Sequence, residues 1–200
     1  MTDLDDKFDK LLRIKTSGRD DLIADGYRYP YEPTPYCVLE RLVDSGYITS
    51  SDTVLDYGCG KGRVGLFLAY RTKAKTIGIE YDERMYRHAK DNRKNCVKSI
   101  SAEFVHTRAE EYEVACQVNR CYFFNPFSAE ILHKVMARII ESYYSSPREI
   151  ILFFYYPSEE YISSLMSVDQ LEYVDDIPCG DLFDPDNTRE RIAIFKLPTM

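Results

Sequence analysis

The stretch Asp56-Tyr57-Gly58-Cys59-Gly60-Lys61-Gly62 sets an acid ahead of three glycines at every second position. Glycine tolerates the positive φ of a tight turn, and with no Cβ it lets a ligand approach the backbone. The following apolar run, Lys75-Thr76-Ile77-Gly78-Ile79, ends in Glu80. A carboxylate at that point can accept hydrogen bonds from both hydroxyls of a ribose. Asp82 is at hand to cap the helix that follows, so Glu80 is not needed for that role. A third group, Asn125-Pro126-Phe127-Ser128, closes a later apolar run. Its residues also suit a plain helix start, with Asn as cap and Pro at the first helical position. His106 is the only histidine near a predicted strand end; a packed or solvated ring and a base both fit it.

These groups need elements to carry them. Thr53 to Tyr57 reads as a short buried strand. The glycine turn follows, and then Val64, Leu66, Phe67 and Leu68 at helical spacing. Strand, glycine turn and helix in that order form the first βα unit of a doubly wound sheet, which binds ligands at the carboxyl ends of its strands. Two cofactors could use such a turn. The dinucleotide pattern G-x-G-x-x-G would need its third glycine at position 63, where Arg63 would obstruct close packing.

The observed spacing, Asp56-x-Gly58-x-Gly60-x-Gly62, resembles motif I of the class I S-adenosylmethionine (SAM)-dependent methyltransferases. The resemblance covers roughly Pro35 to the end of the chain. It implies SAM as cofactor, with Gly58, Gly60 and Gly62 against the methionine half and Asp56 orienting its amino group. It assigns Glu80 to the ribose and Tyr81 to the adenine face. The family usually ends its third strand with Gly-Asp-Ala, whereas this chain has Thr107-Arg108-Ala109-Glu110. The adenine contact therefore falls to the backbone at Ala109 or to Glu110. Asn125-Pro126-Phe127 resembles the Asn/Asp-Pro-Pro-Tyr/Phe motif of nitrogen methyltransferases, without the second proline. In that motif the Asn oxygen accepts the target N–H, and the aromatic stacks on the acceptor. The resemblance thus implies catalytic roles for Asn125, Pro126 and Phe127, with Asn125 also beside the cofactor.

The remaining elements complete an α/β pattern. Residues 3 to 15 suggest an amphipathic helix, and Pro35 to Val43 a second. Between them Tyr27 to Tyr36 holds four tyrosines and three prolines, either an extended connector or a flap over the cofactor. Helices follow from Asp82 to about Asn95, from Ala129 to Tyr143 and from Glu159 to Met166. Further strands are Glu103–Thr107, Val118–Asn125, the continuous apolar run Arg148–Tyr156, and the pair Glu172–Ile177 and Arg191–Lys196. The expected fold is three-layer and doubly wound, a mostly parallel seven-stranded sheet with an antiparallel C-terminal strand. Residues 1–33 would form an N-terminal helix and Tyr/Pro-rich cap, and residues 34–200 the SAM-binding domain.

Composition narrows the partners. A net charge of −7 disfavours a broad phosphate-binding face. The basic residues Arg84, Arg87, Lys90, Arg93 and Lys94 share one helix face, which is more often solvated than nucleic-acid-binding. No apolar run has the length of a membrane span. The acidic start MTDLDDKFDK is not a secretory signal, and six cysteines without a C-x-x-C pair fit a cytoplasmic protein with no metal site. Asp181, Asp184 and Asp186 do not have calcium-loop spacing. The expected activity is methyl transfer from SAM to an unidentified acceptor, the candidate being an amine or amide nitrogen on a small molecule or protein rather than RNA. A nicotinamide-dependent oxidoreductase and a non-catalytic SAM-binding module stand as alternatives.

Overall fold

The computed structural model describes residues 3–20, 31–97, 99–183 and 186–199. Seven strands form one sheet: β1 (Thr53–Tyr57), β2 (Lys75–Glu80), β3 (Ser101–His106), β4 (Arg120–Phe123), β5 (Ile150–Tyr155), β6 (Glu172–Pro178) and β7 (Arg191–Leu197). Their order is β3-β2-β1-β4-β5-β7-β6. The first five strands are parallel, and β7 runs antiparallel to both β5 and β6. Helices are α1 (Asp3–Leu12), α2 (Tyr36–Asp44), α3 (Arg63–Thr72), α4 (Glu83–Asn95), α5 (Ala129–Ser145) and α6 (Glu159–Met166). This is the seven-stranded fold expected from the sequence.

Side-chain alternation along the buried strands feeds two cores. Val54, Tyr122 and Phe153 face the layer of α1, α2 and α3. Leu55, Cys121, Phe123, Leu152 and Phe154 face α5 and α6. Every residue of β1 and β5 is buried, as required of strands covered on both faces. Tyr57, Phe123 and Phe154 stack in sequence across β1, β4 and β5, with centroids 4.7 and 4.5 Å apart and planes 7° from parallel. Such aromatic pairs add roughly 0.5–1.5 kcal/mol each beyond area burial. They fix the relative level of the three strand ends above them.

The strand order reverses between β1 and β4, because β2 and β3 extend one way from β1 while β5 and β7 extend the other. Tyr57 lies level with Ile79 on one side and Phe123 on the other. Gly58, Glu80 and Asn125 are therefore brought to one end of the sheet, at the crevice where doubly wound sheets hold ligands.

Candidate functional site

The glycine turn is stitched to the end of β2. The backbone N–H groups of Gly58 and Cys59 both donate to the Ile79 carbonyl at 3.0 Å. Gly60 N–H donates to Glu80 Oε2, and Asp82 N–H to Glu80 Oε1, each at 2.8 Å. Burial pushes the Glu80 carboxyl above its ordinary range, and the Asp82 and Gly60 N–H groups pull against that shift. Glu80 is thus fixed in place by backbone donors, with lone pairs left over for a diol. Asp82 caps α4, accepting from the N–H groups of Arg84 and Met85.

Space as well as conformation makes glycine necessary at Gly58 and Gly60. Gly58 has φ +70°, and a Cβ there would sit 2.5 Å from Pro126 Cβ. Gly60 has φ +52°, and a Cβ there would overlap the Tyr31 ring at 2.2 Å. The turn is consequently covered from the amino-terminal side. Tyr31 donates its hydroxyl to the Thr16 carbonyl and pairs with Asp20 in an isolated antiparallel bridge. Tyr27 and Tyr29 fall outside the described residues.

Arg63, which excluded the dinucleotide pattern, has its own structural task. Its buried guanidinium donates to Thr16 Oγ1 and Asp5 Oδ1 at 2.7 Å and to the Thr34 carbonyl at 3.1 Å. It also lies 4.3 Å over the Tyr36 ring. Asp9 reinforces the arrangement by accepting from Thr16 and from the Tyr36 hydroxyl. Three separate amino-terminal segments are thereby pinned to the helix that follows the glycine turn. Asn92 was not recognisable from sequence as anything but a helix-surface residue. It is buried on α4 and bonds Lys15 N, Lys15 O and Lys61 O.

The crevice is lined by Asp56, Gly58, Glu80, Tyr81, Ala109 and Asn125 from the predicted cofactor set. Pro126 and Phe127 line it too. Gly60 and Gly62 do not: the first lies under Tyr31 and the second backs onto the Phe104 ring. Thr34 and Tyr122 also line it, and they bond each other at 3.1 Å. Neither carried a sequence signal. Arg108 turns outward, 5.7 Å over the Tyr81 ring, while Ala109 and Glu110 face the crevice. His106 stacks on Tyr86 and bonds the Tyr81 carbonyl, outside the crevice. On α4, Arg87 pairs with Glu83 and Arg84 with Asp20, which neutralises part of its cationic face.

Three buried oxygens from residues of this lining have no hydrogen-bond partner, Asp56 Oδ2, the Tyr57 hydroxyl and Asn125 Oδ1. Burial, followed by the charge of Glu80, raises the Asp56 carboxyl from 3.8 to about 8. A cationic amino group beside it would relieve that cost. Asn125 has φ +39°, and Tyr156 at the end of the neighbouring strand has φ +51°. Strained backbone of this kind collects at functional sites. The Asn125 Nδ2 donates to the Tyr156 carbonyl at 2.5 Å, which fixes the amide orientation and leaves Oδ1 as an open acceptor. The helix-cap role open to Asn125 belongs instead to Ser128, whose hydroxyl accepts from Ile131 N–H. The Tyr161 hydroxyl donates to the Phe127 carbonyl and braces the same segment. Phe127 itself is buried, edge-on to Phe123. The residues present fit SAM: an acid for the ribose, an acid for the amino group, and a turn stripped of side chains.

A second cleft adjoins the first and shares Glu32, Phe124 and Asn125 with it. Tyr155, Tyr156, Phe183, Arg189 and Glu190 complete much of its wall.

Comparison with known proteins agrees with this geometry. Residues 54–144 match a family model described as a methyltransferase domain. A protein-lysine N-methyltransferase of Saccharolobus islandicus (strain REY15A) is 35% identical over 65 residues, covering 32% of this chain. This chain spans 40% of that relative's length. A TehB-like SAM-dependent methyltransferase from Corynebacterium glutamicum aligns over 81% of this chain and 87% of its own, at 17% identity and a TM-score of 0.57. Magnesium protoporphyrin IX methyltransferase from Synechocystis PCC 6803 with bound SAM covers 80% of this chain and 76% of its own, at 16% identity and 0.56. An RNA methyltransferase from Salinibacter ruber in complex with S-adenosyl-L-homocysteine (SAH) covers 84% and 94%, at 17% identity and 0.52. At these identities the structural matches establish the fold. No helix among the described residues is long and apolar enough to cross a membrane.

Proposed function

We propose that this chain, which belongs to the class I SAM-dependent methyltransferases, transfers the sulfonium methyl to a nitrogen nucleophile held at Asn125. The cofactor would supply a methyl already activated for displacement, so the protein's part is alignment and exclusion of water. Glu80 would hold the ribose hydroxyls, and Asp56 would face the amino group of the methionine half. Tyr81, Ala109 and Glu110 would border the adenine, while the turn at Gly58 lets the backbone approach.

The observation that carries the nitrogen reading is Asn125 Oδ1, buried and unpartnered while its own Nδ2 is locked on Tyr156. A buried, acceptor-only oxygen in the wall of a cleft calls for an N–H or O–H donor. Either donor keeps a lone pair directed away from the oxygen it donates to. That is the orientation in-line attack requires. The likeness of Asn125-Pro126-Phe127 to the nitrogen-methyltransferase motif favours N–H. The amine on a small molecule or protein is favoured, and the short match to a lysine methyltransferase supports it.

The test is transfer of isotopically labelled methyl from SAM to metabolite pools, protein extract and RNA. Label on nitrogen is expected. Label on carbon or oxygen, or SAM binding with no transfer at all, would overturn the reading.

A further inference from the structure

The second cleft contains acceptors in excess of the donors facing them. Glu190 Oε2 accepts the Tyr155 hydroxyl at 2.9 Å. Burial, with the charge of Glu190, pushes the Tyr155 phenol far up, so it remains a proton donor. Among the described residues, Glu190 Oε1 has no hydrogen-bond partner and no cation lies within ion-pair distance of the carboxylate. The arginines of the cleft are engaged elsewhere. Arg19 pairs with Glu32 at 3.6 Å. Arg189 lies 4.1 Å over the Tyr156 ring and donates to the Pro157 and Tyr156 carbonyls at 3.3 Å. Across the same cleft Asn125 Oδ1 is the other open acceptor. Phe124 and Tyr156 form aromatic walls between them.

Backbone contacts bring the two acceptors together. Asn125 binds the Tyr156 carbonyl, and Tyr156 N–H donates to the Arg191 carbonyl, one residue beyond Glu190. A carboxylate oxygen, an amide oxygen and aromatic faces around one space are complementary to a compact donor cation.

Building on the nitrogen-transfer reading, we propose that the acceptor is a primary aliphatic ammonium, of the lysyl side-chain type, and that Glu190 binds it. The ammonium would donate to Glu190 Oε1 and to Asn125 Oδ1. One proton is lost to solvent, and the nitrogen lone pair so freed attacks the methyl carbon. The C–N bond forms as the C–S bond breaks, the sulfur keeping that electron pair. The product is a secondary ammonium. Tyr155 is a positioning residue that fixes one carboxylate oxygen. Other charged or titratable groups near Glu190 are the Cys179 thiol, pushed by burial to about 12, together with Arg189, Glu32 and Arg19.

The test uses the full chain with labelled SAM, poly-L-lysine and Nα-acetyl-lysine as acceptors, and butylammonium chloride as competitor. Both amines should be methylated, and butylammonium should compete with them. Glu190→Gln should raise KM for poly-L-lysine about tenfold, the scale of one charge-assisted hydrogen bond. The pH profile should separate charge pairing from packing. A carboxylate beside the ammonium favours its charged form, so the wild-type rate should keep rising to the free amine's pKa of roughly 10 and beyond. The Gln variant should level off at lower pH. Glu190→Asp should restore part of the wild-type profile, and Tyr155→Phe should raise KM without moving the profile. SAH affinity of each variant reports whether it is folded. Unchanged KM and profile in Glu190→Gln would overturn the proposal. Transfer to amide or ring nitrogens but not to amines would overturn it and leave nitrogen transfer standing. Transfer to no nitrogen would remove both.

Discussion

The two clefts share Glu32, Phe124 and Asn125, yet they are built in opposite ways. The first is mainly backbone: a glycine turn fastened to the end of β2, with both Glu80 oxygens already bonded by N–H groups. The second is mainly side chain, assembled around Asn125, Tyr156 and Glu190 from three different strand ends. A backbone cradle serves a ligand that never changes, whereas side chains can be exchanged to suit an acceptor. Loss of a group should therefore affect binding on one side and turnover on the other.

Asn125→Ala is the sharpest way to break that division. It removes the open acceptor and the bond to Tyr156 together. Transfer should fall on the order of 10³-fold in kcat, comparable with losing one fixed polar group that orients a reacting centre. Most of the SAM affinity should survive, as calorimetry would show. If SAM affinity fell as far as kcat, the two clefts would not be functionally separate.

Glu80→Ala should do the reverse. It deletes the ribose acceptor and leaves Gly60 and Asp82 N–H without partners. Hydrogen bonds to a charged group contribute roughly 1.5–3 kcal/mol each, so the SAM Kd should rise on the order of 100-fold. Unchanged affinity by titration calorimetry would remove Glu80 from the site.

The same division explains what could be read from the chain alone. Asp56, Gly58 and Glu80 were legible because a turn and two strand ends are local, and their spacing is forced by strand geometry. The seven strands were legible for the same reason, apart from bounds: β3 begins at Ser101 and β4 ends at Phe123. Ser128 as the cap of α5, and with it the release of Asn125, depended on a backbone that enters the helix about one turn later than the Asn-Pro pair suggests. Thr34, Tyr122, Glu190 and Asn92 were not legible. Each acts through a partner far off in sequence, Thr34 with Tyr122 and Tyr155 with Glu190. No local pattern records such pairings.

Gly58 couples the glycine turn to the Asn-Pro-Phe segment, because its missing Cβ is the room Pro126 occupies. Gly58→Ala would place a side chain at positive φ, costing about 1–2 kcal/mol, and would press the Asn-Pro-Phe segment outward. Stability should drop by about 2 kcal/mol, which is roughly 4–8 °C in Tm for a chain of this size. Both SAM affinity and turnover should weaken, unlike either variant above. A change confined to one of them would mean that the contact with Pro126 is only packing.

The smallest effect isolates Asp56. Its folded pKa of about 8 lies above the ordinary 3.8. Between those values the folded chain keeps a proton that the unfolded chain has lost, so this group's contribution to stability declines as pH rises through that window. A ligand ammonium beside Oδ2 favours the carboxylate, so binding below pH 8 must expel the proton. SAH affinity should therefore improve about fivefold from pH 7 to pH 8 and level off above, following the fraction already ionised. Calorimetry in buffers of different ionisation enthalpy should register the released proton at pH 7. Asp56→Asn should abolish both the release and the pH dependence. A wild-type protein that binds SAH with no proton exchange would place the amino group elsewhere, and the backbone cradle would then be holding the cofactor by its sugar alone.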